Sequence, residues 1–428
     1  MDKENRYHTE LSVVITKYGK MKNLKITLTV ILFLLIYLGF GQSKDWNTWR
    51  GPNANGSSNE ANWSPDKIID GNGIVWSTNI GTGHSSVAVS GNKLYTMGNW
   101  EISENKFIDR VVCLDVNTGE VIWKFEYDMD EMEDPGPFST PVIDEGNLYT
   151  LGRGGQLYCF NPDNGEIVWN KNLIKLGLTQ EDGEFACSPI FIDDILVLNM
   201  NLNGLALNKY TGEVIWNSEI DQRSLSSAVS YKLNNKEFVV VQGDKETRCV
   251  NPANGSVLWM IPEGHISDPI VEDDMLLIYS YKGSSLYNLK SVPPERVWNN
   301  INIKAQFQSY VINDGYSYGF SSYTGMKLIC FEVNTGEIQW EQKMSAGSLI
   351  LANNTLIVID KEGVLRFVEA SPKGFNEIGI TPVIELVKTD TKGRGYRRIS
   401  GCWTNPVLCN KKLYVRSSYG DLVCLDVS

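Results

Sequence analysis

Arg394, Tyr396, Arg397, Arg398 and Trp403 set three guanidinium forks beside two flat rings within ten residues. Guanidinium groups grip carboxylates in pairs of hydrogen bonds and rings stack on planar or sugar surfaces, so the cluster suits a carboxylate, a sugar or an acidic peptide segment. The plainer alternative pairs these arginines with the acidic stretch Asp128, Asp130, Glu131, Glu133 and Asp134, or leaves them in solvent. That stretch alternates carboxylates in a way that could hold calcium, but it lacks the Asp-x-Asp-x-Asp-Gly frame with its closing Glu, and no metal ligand is assigned. His84 and His265 could share a zinc ion only if the fold brought them together. No Gly-x-Ser-x-Gly, phosphate-loop or His-Glu-x-x-His string occurs, so neither catalytic nor cofactor-binding residues are assigned.

The elements that carry these residues follow from a repeat. CLDVNTGEVIW, Cys113 to Trp123, returns as CFNPDNGEIVW, LALNKYTGEVIW, CVNPANGSVLW and CFEVNTGEIQW. Its outer tryptophan falls at Trp76, Trp123, Trp169, Trp216, Trp259, Trp298 and Trp340, spacings of 39 to 47 residues that indicate a solenoid or propeller. A second signal, a small polar residue or Asp leading an alternating apolar run (SSVAVSGNKLYTMG, STPVIDEGNLYTLG, CSPIFIDDILVLN and five more), counts eight units. Each unit reads as four short antiparallel strands, which bury both faces only by stacking on neighbours.

The expected fold is all-β: an eight-bladed β-propeller spanning 73–428. The last unit ends at DLVCLDVS without a fourth strand, and GIVWSTNI, about 73–80, is a fourth strand without a blade, so the two close the ring. His84 and His265 then fall in blades one and five, on opposite sides, and the insertions before blades two, three and eight share one rim with the long turn GNWEISENKFID. That rim, which carries both the arginine cluster and the acidic stretch, is the expected working face.

Within the motif, Asn117, Thr118 and Gly119 form a hairpin turn in which glycine supplies a positive φ. Each tryptophan offers a flat apolar wedge and one N–H donor, which suits docking between blades against a backbone carbonyl. Cys113, Cys159, Cys249, Cys330 and Cys424 take one place on the third strand, a blade apart and beyond disulfide reach, so they read as small buried hydrophobes.

The Asn/Thr-Gly-Glu-x-x-Trp units, with DWNTWRGPNANGSS (Asp45 to Ser58), resemble the pyrroloquinoline-quinone-like (PQQ-like) β-propeller repeat family across nearly all of the chain after the leader. The resemblance implies the propeller and leaves the activity open, because some members are quinoprotein alcohol dehydrogenases and others, BamB-like, bind no quinone. Dehydrogenase members carry adjacent cysteines over the quinone and Glu, Asn and Asp around calcium; this sequence has no Cys-Cys pair and no long cofactor-burying insertions. It therefore sits closer to the BamB-like branch, although no lipid-attachment cysteine follows its leader.

That leader, within residues 1–41, places Lys22 and Lys25 before an apolar run, Ile26 to Phe40, and reads as a signal peptide over about 21–41. Fifteen residues are short of the ~20 that span a bilayer as a helix, so no stable membrane span is expected after cleavage. Residues 42–72 form a lead-in whose Trp46, Trp49 and Trp63, around Arg50, would be an exposed apolar liability unless they clasped the propeller. With 51 Asp and Glu against 39 Lys and Arg, the net charge is -12, which argues against nucleic acid or anionic lipid as partner. The leading expectation is a periplasmic or secreted, non-catalytic scaffold that offers its insertion rim to a protein or polysaccharide partner. A PQQ-dependent alcohol dehydrogenase, with calcium, is the alternative, and a polysaccharide hydrolase or lyase the third.

Overall fold

Runs that alternate apolar and polar residues, each broken by Asn, Asp or Gly, favour short antiparallel strands joined by tight turns. The computed structural model, which describes residues 45–129, 136–178, 185–218, 224–305, 310–321, 326–386 and 401–428, contains eight sheets whose blade strands pair in chain order. Blade one runs Ala88–Ser90, Lys93–Ser103, Lys106–Asp115 and Val121–Met129, and six more blades repeat this order as far as Glu377–Pro382. The eighth takes Val407–Cys409, Lys412–Arg416 and Asp421–Asp426, with Ile74–Asn79 as its fourth strand, Trp76 opposite Cys424. The eight-bladed propeller and its closure are as the repeat count requires. Among the described residues no helix is long and apolar enough to cross a membrane.

Every blade slips register by one residue between its third and fourth strands, just before the motif's last position. The bulge leaves Val121 and Ile122 facing solvent, 55% and 44% exposed, and turns Trp123 inward at 9%. It also twists the outer edge strand, which blunts that edge against pairing with another chain.

The inward tryptophans dock on the next blade. Trp76 Nε1 donates to Val116 O at 3.0 Å, Trp123 to Pro162 O at 2.9 Å, Trp169 to Lys209 O at 2.9 Å and Trp216 to Pro252 O at 2.6 Å. Trp298 and Trp340 donate to Val333 O and Ser371 O, each at 2.8 Å. Trp259 is the exception: its buried Nε1 has no acceptor among the described residues. Glycine is needed beneath five of these rings, Trp76, Trp123, Trp169, Trp216 and Trp298, for two reasons. Gly165 has φ +74°, and a Cβ there would stand 2.6 Å from the Trp123 ring.

Seven tryptophans serve eight junctions. In blade seven the register places Gly379 where the others have tryptophan, opposite Phe367 as Trp123 is opposite Cys113. The vacancy is filled from the lead-in: Ile69, in the short helix Asp66–Ile69, lies 2.1 Å from where a Gly379 Cβ would be. All eight cysteines are buried free thiols, and burial pushes those of Cys113, Cys249, Cys330 and Cys424 up to about 12.

Candidate functional site

The first strands line the central channel, and one equivalent position at the entrance to each carries a short polar side chain: Ser86, Thr140, Ser188, Ser227, Asp268, Ser348 and Asn405 in the blades where it is described. These residues form a belt. Ser86 N–H donates to Thr140 Oγ1 at 3.1 Å, Thr140 N–H to Ser188 Oγ at 2.9 Å, Ser188 N–H to Ser227 Oγ at 2.9 Å, and Ser227 N–H to Asp268 Oδ1 at 2.7 Å. Ser86 Oγ donates to Asn405 O at 3.4 Å, and Ser348 Oγ to Trp403 O. A buried N–H must find an acceptor, and blades two to five each supply one to the blade before.

Asp268 stands where neighbouring blades have Ser or Thr, and its second oxygen, Oδ2, accepts Trp49 Nε1–H at 2.6 Å. The lead-in meets the ring at many points. Trp46 bridges to Val89 in blade one and Asn47 O accepts Ile143 N–H in blade two. Arg50 Nη2 donates to the carbonyls of Asn55 and Tyr310, at the entrance to blade six. Ser57 and Ser58 run parallel to Leu351 and Ala352 of blade seven, Ser58 Oγ donates to Leu408 O of blade eight at 2.6 Å, and Glu60 Oε2 accepts Lys411 N–H. Residues 45–60 thus cross the channel axis. Burial lowers the Arg50 pKa from its ordinary value, partly offset by the Asp268 charge.

Two positions ahead of the belt, His84, Phe138 and Trp403 come from adjacent blades one, two and eight. The His84 and Phe138 rings stack 5.5 Å apart at 4°, and Thr404 Oγ1 donates to His84 O at 3.4 Å. His84 is partly exposed, but its Nε2 is covered and lacks a partner among the described residues. Burial first, and the nearby Arg416 charge second, bring its pKa down to about 3, so the ring is neutral. Arg416, itself buried, donates to Ser85 O, to Thr96 Oγ1 at 3.0 Å and to Gly81 O at 3.2 Å, and burial lowers its pKa to about 9. The arrangement is an aromatic wall backed by a buried, hydrogen-bonded arginine.

Of the residues singled out from the sequence, Trp403 stands on this wall. Arg394, Tyr396, Arg397 and Arg398 lie outside the described residues, as do Asp130, Glu131, Glu133 and Asp134, while Asp128 sits on a fourth strand opposite Ile108. His265 is in blade five, with Nδ1 3.1 Å from Ser267 Oγ. Among the described residues no group of three or more His, Cys, Asp or Glu is placed to hold a metal ion. Sequence reasoning passes over the belt's bonding and the buried pair Asp109 and Arg153, 3.7 Å apart between blades one and two. Asp109 Oδ1 accepts Asn99 Nδ2–H at 2.8 Å, and burial raises its pKa. The available signal was an Asp on the strand face it shares with the apolar Phe107, Val111 and Cys113.

Fold and channel together define a closed propeller of tryptophan-docking, PQQ-like repeats. The chain belongs to the family described as outer membrane protein assembly factor BamB, whose model matches residues 108–342. It is 26% identical to the outer membrane protein assembly factor BamB of Salmonella typhimurium, over 41% of this chain and 44% of that one. It is 22% identical to the quinoprotein ethanol dehydrogenase of Pseudomonas putida, over 58% of this chain and 46% of that one. The chain thus spans less than half the length of these curated relatives. The fold superposes on the crystal structure of quinohemoprotein alcohol dehydrogenase from Comamonas testosteroni with a TM-score of 0.69 at 11% identity, covering 92% of this chain and 82% of that one.

Proposed function

We propose that the chain is a non-catalytic scaffold of the cell envelope, exported by its leader, that binds a protein partner on the rim where blades eight, one and two meet. The observation that carries this reading is the use the chain makes of its own channel. Trp49 and Arg50 reach into it, bonded to Asp268 and Tyr310, and the belt's side-chain oxygens accept N–H groups of neighbouring blades. Polar groups committed in this way to the chain's own segments support a binding role over quinone-dependent chemistry. The rim offers Trp403, Phe138 and His84 partly to solvent, and Arg394, Tyr396, Arg397 and Arg398 precede blade eight in the sequence. Large rings with arginine are the residue types that dominate protein interfaces.

Quinone-dependent alcohol oxidation is the second reading, favoured by the likeness to the ethanol dehydrogenase. The scaffold reading is tested by replacing Arg394, Arg397 and Arg398 with Ala, separately from Trp403→Ala, and quantifying crosslinked partners from the envelope fraction. Loss of one stoichiometric partner in both variants is expected. Unchanged capture in both ends the reading.

A further inference from the structure

A phenol ring recurs beside the docking tryptophans. In blade one, Tyr95 Oη donates to Pro162 O at 3.1 Å, the same carbonyl that accepts Trp123 Nε1–H. In blade two, Tyr149 Oη donates to Lys209 O at 3.2 Å, shared with Trp169. Blade four supplies the ring from its first strand, where Tyr231 Oη donates to Leu289 O at 3.3 Å. At the junction of blades five and six the register position of Tyr95 and Tyr149 is held by Leu277, paired with Ile270 as Tyr95 is with Ala88. A cavity of about 220 Å³ opens there, walled by Ile270, Leu277, Leu286, Ile312 and Val333.

The carbonyl at this junction, Val333 O, accepts Trp298 Nε1–H at 2.8 Å, just as Pro162 O and Lys209 O accept theirs. At the mouth stand Glu272, Asp273 and Asn334. Burial first, then the Asp273 charge, raises the Glu272 pKa. The mouth lies among the first-to-second turns and the third-to-fourth turn, on the face away from the insertion rim. An apolar cavity of ~150 Å³ already holds benzene, so a single ring is admitted.

We propose that this socket receives a tyrosine side chain of a partner polypeptide with a lysine or arginine beside it. The ring would enter the apolar wall and its hydroxyl would donate to Val333 O, as Tyr95 and Tyr149 donate within their own blades. The neighbouring cation would meet Glu272 and Asp273. This contact is independent of the rim and stands or falls apart from it.

The probes are three capped peptides, acetyl-Lys-Tyr-Lys-amide, acetyl-Lys-Leu-Lys-amide and acetyl-Glu-Tyr-Glu-amide, titrated by ligand-observed NMR against the full chain. Saturable binding of the first is expected, with the other two weaker by at least about tenfold, the scale of one well-placed polar contact. Leu277→Tyr fills the socket and should abolish binding; Glu272→Gln, at the solvent-facing mouth, should weaken the first peptide and spare the fold if the filled variant fails to fold. Absence of saturable binding, equal binding of the leucine or glutamate peptide, or undiminished binding to either variant overturns the proposal.

Discussion

Trp49 and Asp268 are 219 residues apart in the chain, and the indole Nε1 of one donates to Oδ2 of the other at 2.6 Å. The same carboxylate takes Ser227 N–H on Oδ1, so one side chain joins the lead-in to the belt that links the blades. Asp268→Ser keeps an acceptor for Ser227 but releases Trp49 and removes a negative charge that acts on the buried Arg50. Charge-assisted hydrogen bonds contribute about 1.5–3 kcal/mol each, and urea unfolding should show a loss of about 2–3 kcal/mol. Trypsin should then cleave at Arg50 in the variant under conditions that leave the parent chain intact.

The glycine beneath Trp76, Trp123, Trp169, Trp216 and Trp298 answers to contact as well as to backbone angle, and a pair of substitutions separates the two. Gly146 has φ +78° and open space where a Cβ would stand, whereas Gly165 at +74° faces the Trp123 ring. Gly146→Ala should cost about 1 kcal/mol for the left-handed backbone alone. Gly165→Ala adds crowding and should cost about 1–3 kcal/mol more. Thermal melts of the two variants read the difference directly.

Trp169 has an acceptor for its N–H, and Trp259 has none among the described residues. Replacing an indole by a phenyl ring removes both the donor and some buried area. Trp169→Phe removes one of the two donors to Lys209 O, the other being Tyr149, and its penalty should exceed that of Trp259→Phe by about 1 kcal/mol. Equal penalties would mean that the docking bond contributes nothing to holding blades two and three together.

His84 gives the rim a pH dependence. Its folded pKa is about 3, whereas the unfolded ring titrates near ~6.5. As pH falls below the unfolded value, the unfolded chain takes up the proton first. Stability is therefore complete above about pH 6.5 and declines on acidification by up to about 1.4 kcal/mol per pH unit, until the folded pKa is reached. His84→Phe should remove this slope between pH 6.5 and 5, where few carboxylates titrate, and denaturant midpoints at the two pH values measure it.

The fold was legible because most blades repeat the same local requirements: alternating strands, a positive-φ glycine and, in seven of the eight, an inward tryptophan. The closure was equally plain, since a strand at Ile74–Asn79 with no blade of its own matches a blade with no fourth strand. Junction-specific packing was not legible. Nothing in LKSVPPERVW, Leu289 to Trp298, signals that Trp259 lacks an acceptor among the described residues, and the place of Ile69 against Gly379 depends on a path through the channel that no local pattern encodes. Asp268 carried a hint, an Asp where most other repeats have Ser or Thr, but its partner lies in a separate segment. Of the rim cluster only Trp403 falls among the described residues, and its neighbours His84 and Phe138 come from other blades, beyond the reach of spacing arguments.

The central claim is that this channel belongs to the chain's own lead-in and that the protein works as a scaffold. Equilibrium titration with pyrroloquinoline quinone and calcium, followed by tryptophan fluorescence and quinone absorbance together with dye-linked ethanol oxidation, tests it most directly. No saturable change and no turnover are predicted; stoichiometric quinone binding accompanied by alcohol oxidation would contradict the account.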